Sequence, residues 1–145
     1  MKILGFNRVE LVVREDQIDQ AVQQFNELLG LHLPKPFAVE GHPVLSSTDF
    51  DGHVEFVAPI NGEGPFGAKL ASKGAGQIGP LVWEIADIDE AKARLAERGF
   101  RISFEYIATA RDTGDKPHVH QLVLDPEQWF GFGITLMKRT PKTPA

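Results

Sequence analysis

The two halves of the sequence resemble each other, and this internal repeat restricts the possible folds more than any other feature does. Ile18-Asp19-Gln20-Ala21 matches Ile88-Asp89-Glu90-Ala91, and segment 52–57 matches segment 132–137. A repeat this long indicates a duplicated module and not a solenoid of short units. The 145 residues are therefore expected to form one domain built from two similar halves.

Each half shows the hydrophobic pattern of a strand, a helix and three further strands. Alternating apolar residues predict the strands, and apolar residues at helical spacing predict the helices. We expect Asp16 and Asp87 to cap the two main helices, and Gly30 and Gly99 to end them. The predicted strands are residues 6–13, 37–40, 44–48, 52–59, 81–85, 101–107, 119–124 and 131–137, and the predicted helices are residues 16–29, 66–73 and 88–98. Module one covers about residues 3–60, a connector covers 61–79, module two covers about 80–139, and residues 140–145 form a frayed tail.

The composition argues against several classes of partner. The net charge is −5 and the chain has no run of five basic residues, which argues against binding to nucleic acid or to an anionic membrane. The absence of cysteine excludes disulfides, thiolate metal ligands and a cysteine nucleophile. The sequence shows no signal peptide and no apolar run of membrane-spanning length, so we expect a cytoplasmic protein.

One charged residue stands in the middle of an apolar strand. Strand alternation over residues 52–59 places Val54 and Phe56 on one face, and His53, Glu55 and Val57 on the other. Burying a carboxylate is costly unless another group pairs with it. We therefore expect Glu55 to have a specific partner, and this partner is central to any function of the chain.

The duplicated βαβββ module resembles the vicinal oxygen chelate superfamily. The features that carry the resemblance are Ile88-Asp89-Glu90-Ala91 after the central strand and the glycine-rich entry into that strand at residues 74–79. This superfamily includes glyoxalase I, methylmalonyl-CoA epimerase, extradiol dioxygenases and the bleomycin- and fosfomycin-resistance proteins. The resemblance covers residues 3–139, and segment 66–79 is most similar to the epimerase and glyoxalase branch. It implies an α+β fold whose two modules form a cupped, half-barrel sheet, and it implies a homodimer.

The resemblance also implies a divalent metal in the cup, at positions that correspond here to Arg8, Glu55, Pro80 and Thr135. Only Glu55 is a strong ligand, because Arg8 is a permanent cation, Pro80 has no ligating group and Thr135 is weak. We therefore expect no metal cofactor of the usual kind, and we predict that Arg8 faces Glu55. The pair is either a general base with an anion-binding arginine, or a structural ion pair left by a lost metal site.

Further candidate residues surround this pair. Glu10 shares the face of Arg8 and is expected in the cup, where crowded carboxylates raise at least one pKa, whereas Glu84 is expected at the rim. His118 and His120 are two residues apart on one strand, so they either line the pocket and its rim or, with Glu55, complete a two-His-one-carboxylate metal set.

The remaining candidates carry less specific signals. His53 is either an acid/base group or a solvated strand end. Tyr106 is either a hydrogen-bond donor or a packing residue, and Thr135 is a candidate ligand-binding residue. Trp83 is expected in the core, whereas Trp129 and Phe130 are expected to be exposed as a ligand lid or a dimer contact. The charged loop 111–116 is expected to close over a ligand or to face solvent.

These features predict a small-molecule enzyme of the lyase or isomerase type, similar to glyoxalases or epimerases. Glu55 would abstract a proton next to a carbonyl of a small oxygenated organic or acyl substrate, and Arg8 would stabilise the resulting charge in place of a metal. One alternative is a non-catalytic ligand-binding protein of the bleomycin-resistance kind. A second alternative is a metal-dependent lyase or dioxygenase that uses Glu55, His118 and His120.

Overall fold

The computed structural model of the chain describes residues 1–108 and 118–140. The predicted loop 111–116 and the residues of the tail after Thr140 lie outside this described part. Its strands are β1 (Ile3–Val12), β2 (Phe37–Ala38), β3 (Val44–Asp49), β4 (Val54–Pro59), β5 (Gln77–Ile85), β6 (Ile102–Ala108), β7 (His118–Leu124) and β8 (Ile134–Thr140). Its α-helices are α1 (Ile18–Leu29), α2 (Gly64–Lys73) and α3 (Ile88–Glu97), and two 3-10 helices span Ile60–Gly62 and Pro126–Trp129.

The chain folds as two compact units. The N-terminal unit is Arg8–Gly79, and the C-terminal unit joins Met1–Asn7 to the chain from Pro80 onward. Strands β1 and β5 therefore each contribute residues to both units. The description of the whole chain as a single domain stays a prediction.

In the N-terminal unit the strand order is β2-β3-β4-β1. Strand β1 runs parallel to β4, and the other neighbours are antiparallel. Helix α1 packs on one face of these strands, and the ring of Phe25 meets Phe56 edge-on with centroids 4.7 Å apart. The buried core residues of this unit are Ile18, Val22, Leu33, Phe56 and Ala58.

The C-terminal unit repeats this arrangement with the order β5-β8-β7-β6. Strand β5 is parallel to β8, and the remaining pairs are antiparallel. The core between α3 and the strands consists of the buried residues Ile85, Ile88, Ala91, Leu95, Leu122, Leu124 and Leu136, of which Ile88, Ala91 and Leu95 belong to α3. The α+β class and the βαβββ order of both halves, which the sequence predicts, are confirmed.

The predicted helix ends are confirmed at Asp87 and Gly30 and wrong at Asp16. The side chain of Asp87 accepts a hydrogen bond from the Glu90 N–H at 2.8 Å, and Gly30 ends α1 in the left-handed conformation with a φ of 66°. The N-cap of α1 is Gln17, which makes no side-chain capping bond. Asp16 lies one residue before this N-cap, and its carboxylate pairs with Nε of Arg14 at 3.1 Å.

Residues 1–7 make their contacts in the C-terminal unit. The carbonyl oxygen of Lys2 accepts a hydrogen bond from the Ala86 N–H at 3.1 Å, and the Met1 amino group pairs with Glu90. The ring of Phe6 meets Trp83 edge-on at 5.3 Å. Trp83 is 37% exposed, so its predicted place in the core is wrong. The core beneath α3 takes Ile85 from β5, and Trp83 instead packs beside Phe6.

No helix in the described residues is long and apolar enough to cross a membrane.

Candidate active site

A buried arginine and two buried glutamates meet on one face of the N-terminal unit. Arg8 and Glu10 are two residues apart on β1, and the parallel register of β1 with β4 places Glu10 directly beside Glu55. Nη2 of Arg8 lies 3.2 Å from Oε1 of Glu10, and Nε of Arg8 lies 3.5 Å from Oε2 of Glu55. None of the three residues is more than 7% exposed. The prediction that Arg8 faces Glu55 is confirmed, and Glu10 belongs to the same cluster.

Strand β3 supplies two hydroxyl groups that hold Glu55. Thr48 is the register partner of Glu55, and its Oγ1 donates a hydrogen bond to Oε1 at 3.0 Å. The hydroxyl of Ser46, two residues earlier, donates to the same oxygen at 3.4 Å. The ring of Phe50 lies 5.6 Å from Cζ of Arg8, within the range of a cation–π contact. These contacts fix the orientation of both charged side chains.

The two carboxylates share a single cation, and this imbalance changes the acidity of Glu10. Burial and the neighbouring carboxylate of Glu55 raise the pKa of Glu10 from 4.5 to about 8, while the attraction of Arg8 offsets only part of this effect. The prediction that crowding raises the pKa of one carboxyl group is confirmed. This raised pKa favours the protonated form of Glu10 at neutral pH.

Glu84 has its partners within the C-terminal unit. Its carboxylate accepts a hydrogen bond from Nδ2 of Asn7 at 3.2 Å and lies 3.6 Å from Nε of Arg139. The Glu84 side chain is partly exposed, as the predicted position at the rim implies. It also forms an ion pair with Arg139 that the sequence does not reveal.

The structure places His120 on the helix-covered face of the C-terminal unit. Strand alternation gives it the face of Leu122, which lies in the core beneath α3. Nε2 of His120 lies 2.5 Å from Oε1 of Glu105, and the same oxygen accepts Nζ of Lys92 on α3 at 2.6 Å. His118 is exposed, and its Nδ1 lies 3.3 Å from the carbonyl oxygen of Ala108. Ligand binding by either histidine stays a prediction.

His53 lies outside the strand to which the sequence assigned it. It has a φ of 59° in the turn before Val54, where β4 begins, so strand alternation does not direct its side chain. Tyr106 is half-buried on β6 opposite Gln121. Thr135 is buried on β8 between Val82 and Val123. The ligand-binding roles of His53, Tyr106 and Thr135 stay predictions.

The two aromatic residues before β8 differ in exposure. Phe130 is 92% exposed, as predicted. Trp129 is half-buried against the core of the C-terminal unit, with its ring 5.0 Å from that of Phe100, so its predicted exposure is wrong. The 3-10 helix Pro126–Trp129 turns the indole inward, and the left-handed backbone of Phe130 turns the next ring outward. A ligand-binding role for Trp129 stays a prediction.

The donor set of the cluster does not fit the divalent metal that the resemblance implies. Among the described residues, no three His, Cys, Asp or Glu side chains are grouped so that they could hold a metal ion. The cation that contacts both Glu10 and Glu55 is the guanidinium of Arg8. Of the positions expected to carry ligands, Glu55 alone has a carboxylate, because Arg8, Pro80 and Thr135 offer no strong donor.

A comparison with protein-family models identifies the wider family of the chain. The model described as "Glyoxalase/Bleomycin resistance protein/Dioxygenase superfamily" matches residues 7–116, which is more than half of the sequence. The chain belongs to this superfamily. The resemblance to vicinal oxygen chelate proteins is thus confirmed, and with it the fold class. No curated protein sequence matches this chain.

Solved structures of low sequence identity share the fold. Methylmalonyl-CoA epimerase from Mycobacterium tuberculosis has a TM-score of 0.78 at 20% identity, with 96% of this chain and 90% of that chain covered. A hypothetical protein from Bacillus halodurans has a TM-score of 0.77 at 16% identity, with 97% of each chain covered. A variant of Streptomyces coelicolor methylmalonyl-CoA epimerase, in complex with 2-nitronate-propionyl-CoA, has a TM-score of 0.73 at 17% identity, with 94% and 98% covered. At these identities the structural similarity establishes the fold but not the reaction, which has to be inferred from the residues of the site.

Proposed function

We propose that this protein is an isomerase-type enzyme, similar to an epimerase, that transfers a proton at the carbon next to a carbonyl group. The observation that carries this proposal is the buried cluster of Arg8, Glu10 and Glu55, in which two carboxyl groups lie side by side at one fixed cation. Enolisation of a carbonyl compound needs a base and stabilisation of the developing oxyanion, and a carboxylate, a carboxylic acid and a guanidinium are able to fill these roles.

In the proposed reaction, Glu55 is the base. Its carboxylate takes the proton as the C–H bond breaks, and the electron pair moves onto the carbonyl oxygen to give an enolate. Glu10, which holds a proton at neutral pH, donates a hydrogen bond or that proton to the enolate oxygen, and Arg8 stabilises the negative charge. A proton delivered from solvent to the opposite face of that carbon completes the isomerisation, while Glu55 loses its proton to solvent and Glu10 recovers any proton that it has given to the oxygen. Loss of a leaving group from the neighbouring carbon would instead make the enzyme a lyase.

The proposed substrates are small oxygenated organic compounds whose carbonyl group is activated, and acyl-CoA thioesters are the first class to test. Support comes from the shared fold, because structural relatives are methylmalonyl-CoA epimerases and one of them is in complex with 2-nitronate-propionyl-CoA. A 2-oxo acid has the same acidic carbon next to a carbonyl group and belongs in the same panel. Assembly as a homodimer and a cytoplasmic location stay predictions from the sequence.

The test is proton exchange in deuterated water. Acyl-CoA thioesters and 2-oxo acids are incubated with the protein, and loss of the proton signal next to the carbonyl is followed by NMR. We expect at least one class to exchange in a protein-dependent manner. Glu55→Gln is expected to slow this exchange about 10²- to 10⁴-fold, because general-base catalysis contributes an effect of this size. Ligand affinity, measured by calorimetry, is expected to change little.

The matched control is Glu127→Gln, which makes the same substitution at a carboxylate 86% exposed on the surface of the C-terminal unit. This variant is expected to keep the wild-type exchange rate. Exchange that proceeds equally well in Glu55→Gln would refute the role of the cluster. Tight binding of the panel compounds without exchange would refute the enzyme and favour a ligand-binding protein of the bleomycin-resistance kind.

A further inference from the structure

We propose that Arg8 is the resident cation of the cluster, and that its guanidinium takes the position between Glu10 and Glu55 that a divalent metal ion would otherwise occupy. The inference concerns the same cluster as the proposed function. Its test needs no substrate, so its failure and the failure of the proposed function are distinguishable.

The first argument is the geometry around Arg8. The arginine is almost fully buried, with Nη2 at 3.2 Å from Glu10 and Nε at 3.5 Å from Glu55. The ring of Phe50 lies 5.6 Å from Cζ. A guanidinium held by two carboxylates and an aromatic ring occupies a defined position, and a metal ion that binds both carboxylates has to displace it.

The second argument is the count of charges and donors. Two carboxylates and one guanidinium leave at most a single negative charge, and a divalent ion beside Arg8 meets a fixed positive charge at close range. Hard cations such as Mg²⁺, Ca²⁺ and Mn²⁺ take six or more oxygen ligands. Oε1 of Glu55 already accepts hydrogen bonds from Thr48 and Ser46, and its other oxygen faces Arg8. The intact cluster therefore offers less negative charge and fewer available oxygen ligands than a site for a hard divalent cation needs.

The third argument concerns what remains when the guanidinium is removed. In Arg8→Ala, two carboxylates on adjacent strands and the hydroxyls of Ser46 and Thr48 surround a cavity of the size of the lost side chain. Buried carboxylates without a counter-charge attract a cation strongly. This cavity is expected to take up either a divalent metal ion or free guanidinium.

The experiment measures Mn²⁺ binding by electron paramagnetic resonance at several pH values up to 9, because loss of Arg8 raises the pKa of Glu10 further and protonation of the carboxyl group competes with the metal. The wild type is expected to show no stoichiometric Mn²⁺ site that depends on Glu55. Arg8→Ala is expected to bind Mn²⁺ at least about tenfold more tightly than the wild type does. Millimolar guanidinium chloride is expected to raise the melting temperature of Arg8→Ala, whereas the same concentration of sodium chloride does not.

The matched control is Arg14→Ala, which removes an exposed arginine that pairs with Asp16 at 3.1 Å. This variant is expected to gain neither Mn²⁺ binding nor stabilisation by guanidinium. A wild-type protein that binds one Mn²⁺ per chain and loses it on Glu55→Gln would overturn the proposal, and this titration is decisive even where Arg8→Ala does not fold. A folded Arg8→Ala that gains neither effect would overturn it as well.

Discussion

At the residue scale, a single guanidinium contacts two carboxyl groups. This ratio of one cation to two carboxyl groups governs the electrostatics of the buried cluster. Arg8 contacts Glu10 and Glu55, but Glu55 also accepts two hydroxyl donors from β3. Glu10 has the less favourable surroundings, and burial beside Glu55 raises its pKa to about 8. The folded protein therefore keeps a proton on Glu10 over a pH range in which the unfolded chain has lost it.

This difference in proton binding predicts how stability depends on pH. Because the pKa of Glu10 rises from 4.5 to about 8 on folding, its contribution to stability is complete below pH 4.5 and is lost as the pH rises to 8. We expect the free energy of unfolding to fall across this interval by up to about 1.4 kcal/mol per pH unit. Glu10→Gln removes the titrating group, so its stability is expected to be flatter over the same range. Urea denaturation at several pH values between 4.5 and 9 measures the effect.

Glu127→Gln serves as the control, because this exposed carboxylate is expected to leave the pH dependence unchanged. Glu55→Gln removes the neighbouring charge that helps to raise the pKa of Glu10, so its decline in stability is expected to end at a lower pH. Identical pH profiles for the wild type and Glu10→Gln would contradict the assignment of the proton to Glu10.

The sequence predicts some contacts of the cluster and misses others for a physical reason. Strand alternation and the family resemblance together predict that Arg8 and Glu55 face each other. Strand alternation is a local signal in the sequence, and the resemblance supplies the positions of both residues in the fold. The contacts of Ser46 and Thr48 depend on the register between β3 and β4, which hairpin pairing decides. The same reason hides the contact of His120 with Glu105, because it depends on the β6–β7 register, in which Glu105 lies opposite Leu122 and two residues from the partner of His120.

At the element scale, the two βαβββ halves share their strand order but start their first helices differently. Asp87 caps α3 with a hydrogen bond to the Glu90 N–H, whereas Gln17 precedes α1 without a side-chain capping bond. The duplicated sequence Ile-Asp-x-Ala therefore specifies the helix but not its cap. The sequence predicts that β5 begins at Leu81, whereas the strand begins at Gln77. Gly79 and Pro80 interrupt the alternation of apolar residues by which strands are recognised.

The contrast between the two caps gives a prediction for stability. Asp87→Ala removes a capping hydrogen bond of 2.8 Å and is expected to lower the free energy of unfolding by about 1 kcal/mol. Gln17→Ala, at the equivalent position of α1, is expected to cost less than about 0.5 kcal/mol, because no capping bond is lost. Chemical denaturation of both variants measures the difference. Equal costs for the two substitutions would contradict the assignment of the caps.

At the scale of the whole molecule, the boundaries of the compact units differ from those of the sequence modules. Residues 1–7 continue directly into the N-terminal unit, yet their contacts with Trp83, Ala86 and Glu90 belong to the C-terminal unit. The repeat locates the duplicated halves, because it records the order of the elements. The repeat does not reveal that β1 is divided between the two units after Asn7, because that division depends on contacts with residues far away in the sequence.

This division predicts which part of the protein a truncation weakens. Removal of residues 1–6 takes away the Phe6–Trp83 contact and the hydrogen bond from Ala86 to Lys2. We expect hydrogen exchange to lose protection first at residues 82–86, while residues around Phe56 in the N-terminal unit keep most of theirs. Phe6→Ala is the milder comparison, since it removes only the ring contact. Loss of protection first around Phe56 would contradict this description of the two units.

The placement of residues 1–7 also bears on how the chain folds as it is synthesised. These residues leave the ribosome before the N-terminal unit does, but the segment that holds them, from Pro80 onward, is translated more than seventy residues later. Residues 8–79 form one continuous stretch, so the whole N-terminal unit has been translated before Pro80 is added. The N-terminal end of β1 gains its contacts only after the segment from Pro80 onward is available, and contacts between residues so distant in sequence form slowly. Residues 1–7 are thus translated before the N-terminal unit, yet they reach their final contacts only after Trp83, Ala86 and Glu90 have been made.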